Sequence, residues 1–246
     1  MSHSLFLAPV ISESVSRNKL GGSSILSSIS LLAIQESQGA PLAVSPLTWL
    51  RSLGTETHLV LPTRGSATLK YELDISKNTT SCLSFLATHT HSPKDVSAVL
   101  SSISFRTDGM IVVPCSMKTL AGIRMGYDND LITRAASVTL KESRKLVLVA
   151  RETPLSSIHL ENMLEVTKAG PVIFPPVMTF YMRPKGVEDM VEQSVRRMVD
   201  LLDLKVGEDV EIEAEDEGRW KGFEWEEKKK DERKLIEGGT TTPQVF

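Results

Sequence analysis

Four short apolar runs constrain this chain more than anything else in it: Thr57–Leu61, Met110–Val113, Leu146–Ala150 and Pro171–Phe174. Each is rich in Val, Ile or Leu, and none alternates with polar residues. A strand with one wet face alternates, whereas a strand covered on both faces does not. Stretches of helical periodicity separate the runs. The pattern therefore predicts an α/β fold, a Rossmann-like or flavodoxin-like three-layer sandwich around a parallel sheet. No internal repeat is present.

Three zones follow from composition. Residues 1–34 are rich in Ser and poor in acids, with Arg17 and Lys19 as the Lys and Arg side chains. They read as a poorly ordered extension, either a transit peptide or a plain N-terminus. Residues 35–204 read as one globular domain. Residues 205–246 form a charged tail, acidic from Glu208 to Glu217, in which Trp220, Phe223 and Trp225 call for a surface to dock on.

Charge narrows the function classes. With 28 Lys plus Arg against 31 Asp plus Glu, the net charge is −3. That balance lacks the basic footprint expected of a nucleic-acid binder. No apolar run approaches the roughly 20 residues of a membrane span. Two cysteines, Cys82 and Cys115, make neither a disulfide scaffold nor a metal cage, and point to a reducing compartment.

In open α/β sheets ligands bind beyond the carboxyl ends of the strands, so the residues after each run are the candidates. After Met110–Val113, Ser116 and Thr119 fall where a helix begins. Ser116 either caps that helix or, with the free N–H groups there, meets a phosphate or a flavin edge. After Leu146–Ala150 come Arg151 and Glu152, a site pair or a surface ion pair. Arg134 and Lys141 lie on a predicted helix from Asp130 to Glu142. After Pro171–Phe174 two prolines stiffen a loop that delivers Tyr181. The last helix is expected from Val187 to Leu204. Its apolar stripe leaves Arg197 as the inward cation and Arg196 as the solvated one. His159, on a helical pattern with no second ligand at suitable spacing, suits packing or hydrogen bonding. Asn78-Thr79-Thr80 forms a glycosylation sequon without a secretory signal. No zinc spacing, P-loop or nucleophile elbow is present. Spacing alone reaches an α/β domain with a cationic, anion-binding edge.

Longer motifs go further. Gly109-Met-Ile-Val-Val-Pro-Cys-Ser-Met-Lys-Thr-Leu120, Leu131-Ile-Thr-Arg-Ala-Ala136, Leu140-Lys-Glu142, Val149-Ala-Arg-Glu-Thr-Pro-Leu-Ser-Ser-Ile-His-Leu-Glu-Asn-Met163 and Pro175-Pro-Val-Met-Thr-Phe-Tyr-Met-Arg-Pro184 occur in this order. Together they resemble the UbiX-type flavin prenyltransferases, known in fungi as phenylacrylic acid decarboxylases. Gly39-Ala-Pro-Leu-Ala43, Lys70-Tyr-Glu72 and the Arg219–Trp225 tail resemble the fungal version. The resemblance implies an enzyme that joins a dimethylallyl group from dimethylallyl phosphate to reduced FMN, without a metal. Its prenylated FMN would serve a UbiD-type decarboxylase. It also implies a large homo-oligomer, typically a dodecamer, with sites at subunit interfaces. A mitochondrial location follows from the fungal likeness, with a cytoplasmic one as the alternative.

Carried onto this sequence, the resemblance gives FMN to Ser37, Ser116, Met117, Lys118 and Thr119, with Arg134 arriving from a neighbouring subunit. It gives the prenyl phosphate to Lys141, Arg151, Tyr181, Arg197 and Trp220, and catalytic roles to Glu152, Glu72 and Lys141. Cations belong where phosphate charge develops, and a carboxylic acid placed there can deliver a proton.

The sequence departs from the family near its start. The family's first strand leads into a Gly-rich loop, whose counterpart here is Ala33-Ile-Gln-Glu-Ser-Gln-Gly-Ala40. Glu36 replaces a glycine, Gln38 a small hydroxyl residue, Pro62 a serine and Ile103 a glycine, while Pro46 enters the first helix. Either the family's first strand is missing from this chain, or the chain is a diverged, non-catalytic paralogue that assembles with an intact one. The related phosphopantothenoylcysteine decarboxylases carry Pro-x-x-Ala-Asn-Thr where this chain has Pro114-Cys-Ser-Met-Lys-Thr119, which ranks that reading last.

Overall fold

The structure is a computed structural model that describes residues 28–34, 40–61 and 79–204. Its strands are β1 (Ile29–Ala33), β2 (Glu56–Val60), β3 (His89–His91), β4 (Gly109–Cys115), β5 (Lys145–Ala150) and β6 (Val172–Ile173). Its α-helices are α1 (Ala40–Ser52), α2 (Thr79–Leu86), α3 (Met117–Met125), α4 (Leu131–Lys141), α5 (Ser157–Lys168) and α6 (Val187–Asp200). The strands form one parallel sheet in the order β3-β2-β1-β4-β5-β6. That is the Rossmann order, whose direction of winding reverses between β1 and β4.

The four apolar runs are β2, β4, β5 and β6, and the reason they do not alternate is visible in the packing. One face of the sheet buries Leu32, Leu59, Ile111, Val113, Val147 and Val149 against α1, α2 and α6. The other buries Leu31, Val60, Met110, Val112, Leu146 and Leu148 against α3, α4 and α5. Neighbouring residues along each strand thus serve opposite cores, as the period of two requires.

Three sequence expectations need correction. The stretch read as an extension, residues 1–34, contains a central strand: β1 is buried between β2 and β4, so residues 29–33 belong to the sheet. The edge strand β3, His-Thr-His, was not foreseen, because it is short and polar. The last helix ends at Asp200 rather than Leu204, and Asp203 there takes a positive φ of 53°.

Two departures prove compatible with the fold. Helix α1 runs through Pro46. Ile103 sits exposed in a turn, where its side chain meets solvent rather than the core. Glu36, Ser37, Gln38, Pro62, Glu72, Asn78, Trp220 and the charged tail lie outside the described residues.

Local chemistry sets the helix ends. Ser116 caps α3, its Oγ accepting the Thr119 N–H at 3.3 Å, and Gly126 closes that helix in the left-handed region at φ 63°. Asp130 opens α4 with a capping box. Its Oδ1 accepts the Thr133 N–H at 2.8 Å while Thr133 Oγ1 accepts the Asp130 N–H at 3.3 Å. His159 does the same work at α5. Its Nδ1 accepts the Ser156 N–H, and Ser156 Oγ accepts the His159 N–H, both at 3.3 Å. The histidine is a hydrogen-bonding residue, as its lone position in sequence predicted.

Candidate active site

Cys115 and Ala150 are register partners at the carboxyl ends of β4 and β5. Paired strands stand about 4.8 Å apart, so Ser116 and Arg151 leave the sheet from neighbouring strand ends, and Glu152 follows directly. This is the crevice side of the sheet, beside the β1/β4 reversal. Met117 and Lys118 open α3 there, and their N–H groups have no intrahelical acceptor. Lys118 is exposed, Met117 packs partly into the core, and Thr119 is buried. Amides, a cation and an apolar side chain suit a flavin with an anionic tail, so these residues fit FMN. Glu152 is exposed, and its Oε1 accepts the Thr153 N–H at 3.3 Å.

Cys115 lies next to Ser116 but is not a nucleophile. Its side chain is buried in the core, and burial pushes the thiol up to about 12.

Within one chain the candidates do not all converge. Helix α4 starts at the carboxyl side, where the Leu131 N–H donates to Pro93 O just past β3. It ends at the amino side, where Thr139 Oγ1 lies 3.9 Å from Met110 Sδ at the start of β4. Lys141, last in α4 and exposed, is thus on the opposite edge from Glu152, separated by the length of β5, roughly 20 Å. Arg134, nearer the helix start, is half-exposed and paired with Asp128 at 3.2 Å.

Helix α6 also runs toward the amino side, since the Leu202 side chain packs at Gly109, where an added Cβ would meet it at 2.8 Å. Arg197 stands exposed five residues before Leu202. The expected roles of the two arginines are reversed: Arg196 lies 4.6 Å over the Trp49 ring and bonds Glu192 at 3.1 Å, while Arg197 faces outward. The stripe argument failed because Trp49 of α1 extends the packed face to cover Arg196. Tyr181 sits in a 3₁₀ turn, Phe180–Met182, with 56% of its surface exposed. Exposed beside it are Val177, Met178 and Phe180.

Comparison with known proteins decides the family. The Flavoprotein family pattern matches residues 50–207, more than half of the chain. The flavin prenyltransferase PAD1 of Saccharomyces cerevisiae, a mitochondrial protein, is 52% identical over 193 residues, 78% of this chain and 75% of its own. The chain belongs to the flavin prenyltransferase family. AnUbiX (PadA1), solved in complex with FMN and dimethylallyl pyrophosphate, superposes with a TM-score of 0.72 at 50% identity, over 80% of this chain and 100% of that one. A dodecameric FMN-dependent UbiX-like decarboxylase from Escherichia coli O157:H7 gives 0.70 at 45% identity, over 79% and 100%. As a family member the chain is a flavoprotein of the transferase class. Ser116, Met117, Lys118, Thr119, Arg151 and Glu152, candidates from the sequence, all lie at the carboxyl ends of β4 and β5. It had no signal for which edge of the sheet Lys141 and Arg197 reach.

Proposed function

We propose that this chain transfers a dimethylallyl group from dimethylallyl phosphate to reduced FMN, in a site completed by a second copy. The observation that carries the reading is the Cys115–Ala150 pairing. It sets the α3 N-terminus beside Arg151 and Glu152 at the sheet's crevice edge. Ser116, Met117, Lys118 and Thr119 hold FMN, which supplies the nucleophilic ring once reduced. Arg151 holds the prenyl phosphate. Glu152 moves the proton that the departing phosphate or the closing ring requires.

Lys141 and Arg197 lie toward the opposite edge of their own chain, so they serve the site of a neighbour, as does Arg134. Tyr181, on an exposed apolar turn, joins them at such a contact. There the cations meet the phosphate as the carbon–oxygen bond of the donor breaks and negative charge gathers on the leaving group. The dodecameric state of the Escherichia coli relative supports a large homo-oligomer here. Ser37, Glu72 and Trp220 complete the site by family likeness. The prenylated FMN goes to a UbiD-type decarboxylase. A mitochondrial location is supported by the yeast relative and by the Ser-rich, acid-poor start of the chain.

The test is an anaerobic incubation of the purified chain with reduced FMN and dimethylallyl phosphate or diphosphate, read by mass spectrometry. Prenylated FMN is expected, with Glu152→Gln slower by about 100-fold or more. An FMN-loaded protein that gives no product would overturn the reading. A folded oligomer that binds no FMN would favour the non-catalytic subunit instead.

A further inference from the structure

The structure brings together residues that the sequence keeps apart. Glu56 and His58 are two apart on β2 and so share a face. His89 on β3 is the register partner of His58. Glu56 Oε1 stands 3.3 Å from His58 Nε2 and 3.2 Å from His89 Nε2, and the three donor atoms lie within 4.8 Å of one another. We propose that Glu56, His58 and His89 bind a divalent cation of the zinc class, at the amino end of the sheet and away from the FMN edge.

Four features support the assignment. The donor set is two imidazoles and a carboxylate, a combination that suits zinc and leaves a fourth position for water. Two of the three spacings already match: ligands at 2.0–2.1 Å in a tetrahedron stand about 3.3–3.4 Å apart, close to the two carboxylate–imidazole separations, while the third pair lies within 4.8 Å and closes by a small shift of the exposed His89 ring. The ligands are oriented from behind. His58 Nδ1 lies 3.0 Å from His91 Nε2, with the two rings stacked at 5.2 Å, and Phe105 meets the His58 ring edge-on at 5.0 Å. A partner on the far nitrogen fixes which nitrogen faces the metal. Finally there is an entry path. The His58 side chain is 4% exposed, but Glu56 is 33% and His89 51% exposed, so the open side faces solvent.

The site's place in the fold suggests what it does. Among the described residues, strand β3 is the three-residue edge of the sheet and pairs with β2 alone. A cation shared by His89 and the β2 pair would fasten that edge to the body. To bind a cation through Nε2, each neutral imidazole carries its single proton on Nδ1, so a tautomer shift suffices and no proton need leave the rings. The inference is independent of prenyl transfer.

The full-length chain, stripped with a chelator and dialysed, is titrated with zinc ion alone in competition with a chromophoric chelator. One equivalent per chain and a raised melting temperature are expected. His89→Ala, at an exposed edge position, should abolish both while leaving FMN binding intact. His91→Gln should weaken zinc by about 10-fold or more through loss of ring orientation. Cobalt in place of zinc should give the visible absorption of a four-coordinate nitrogen and oxygen site. Glu56→Gln provides a second reading should His89→Ala fail to fold. No uptake by the wild type, or equal uptake by the wild type and these variants, overturns the proposal.

Discussion

At the scale of single residues, position relative to the sheet decides chemistry more than residue type does. Cys115 and Ser116 are neighbours, yet one points into the core and the other turns out to cap α3. A thiol held at about 12 is almost wholly protonated near neutral pH. Cys115 should therefore resist iodoacetamide at pH 8 in the folded protein and label only after unfolding, as peptide mass mapping would show. Labelling at the rate of a free thiol would mean that β4 opens at its carboxyl end. The cap at Ser116 was readable in sequence, because a hydroxyl residue between an apolar run and a helical pattern favours an N-cap. The Arg196 and Arg197 roles were not readable, since periodicity gives the side of a helix but not the neighbour that covers it.

At the scale of elements, β2, β4, β5 and β6 were legible because each leaves a continuous apolar record in the sequence. The other strands were harder for physical reasons. At the start of β1, Ser28-Ile29-Ser30 continues the Ser-rich composition of the preceding residues, Ser28 standing just before the strand, although Ser30 within it is fully buried. In β3 only three polar residues pair, held by register rather than by hydrophobicity. The joint between β4 and α6 carries a sharp test. A Cβ at Gly109 would stand 2.8 Å from Leu202 Cδ2 and 3.0 Å from Lys145 O, the second a backbone atom that cannot yield without disturbing β5. Gly109→Ala should cost about 1–3 kcal/mol, measured by denaturant unfolding. An unchanged midpoint would show that α6 does not press on the sheet there.

At the scale of the whole molecule, the sheet sorts the candidate residues onto two edges. Ser116, Arg151 and Glu152 stand at the carboxyl ends, while Lys141, and Arg197 with it, lie toward the amino ends of the same chain. Sequence motifs supplied the names of these residues but not this division, which depends on the course of α4 and α6 past the strands. Under the proposed function, flavin prenylation occurs where the two edges of different copies meet. Co-expression of Glu152→Gln with Lys141→Ala, each expected to be strongly impaired alone, tests it most directly, with prenylated FMN measured by mass spectrometry on the mixed oligomer. Random mixing should restore about a quarter of wild-type product formation, because that share of sites draws both intact residues from different copies. Mixed oligomers that remain as inactive as either variant would contradict the account and place Lys141 and Glu152 in a site built from one chain.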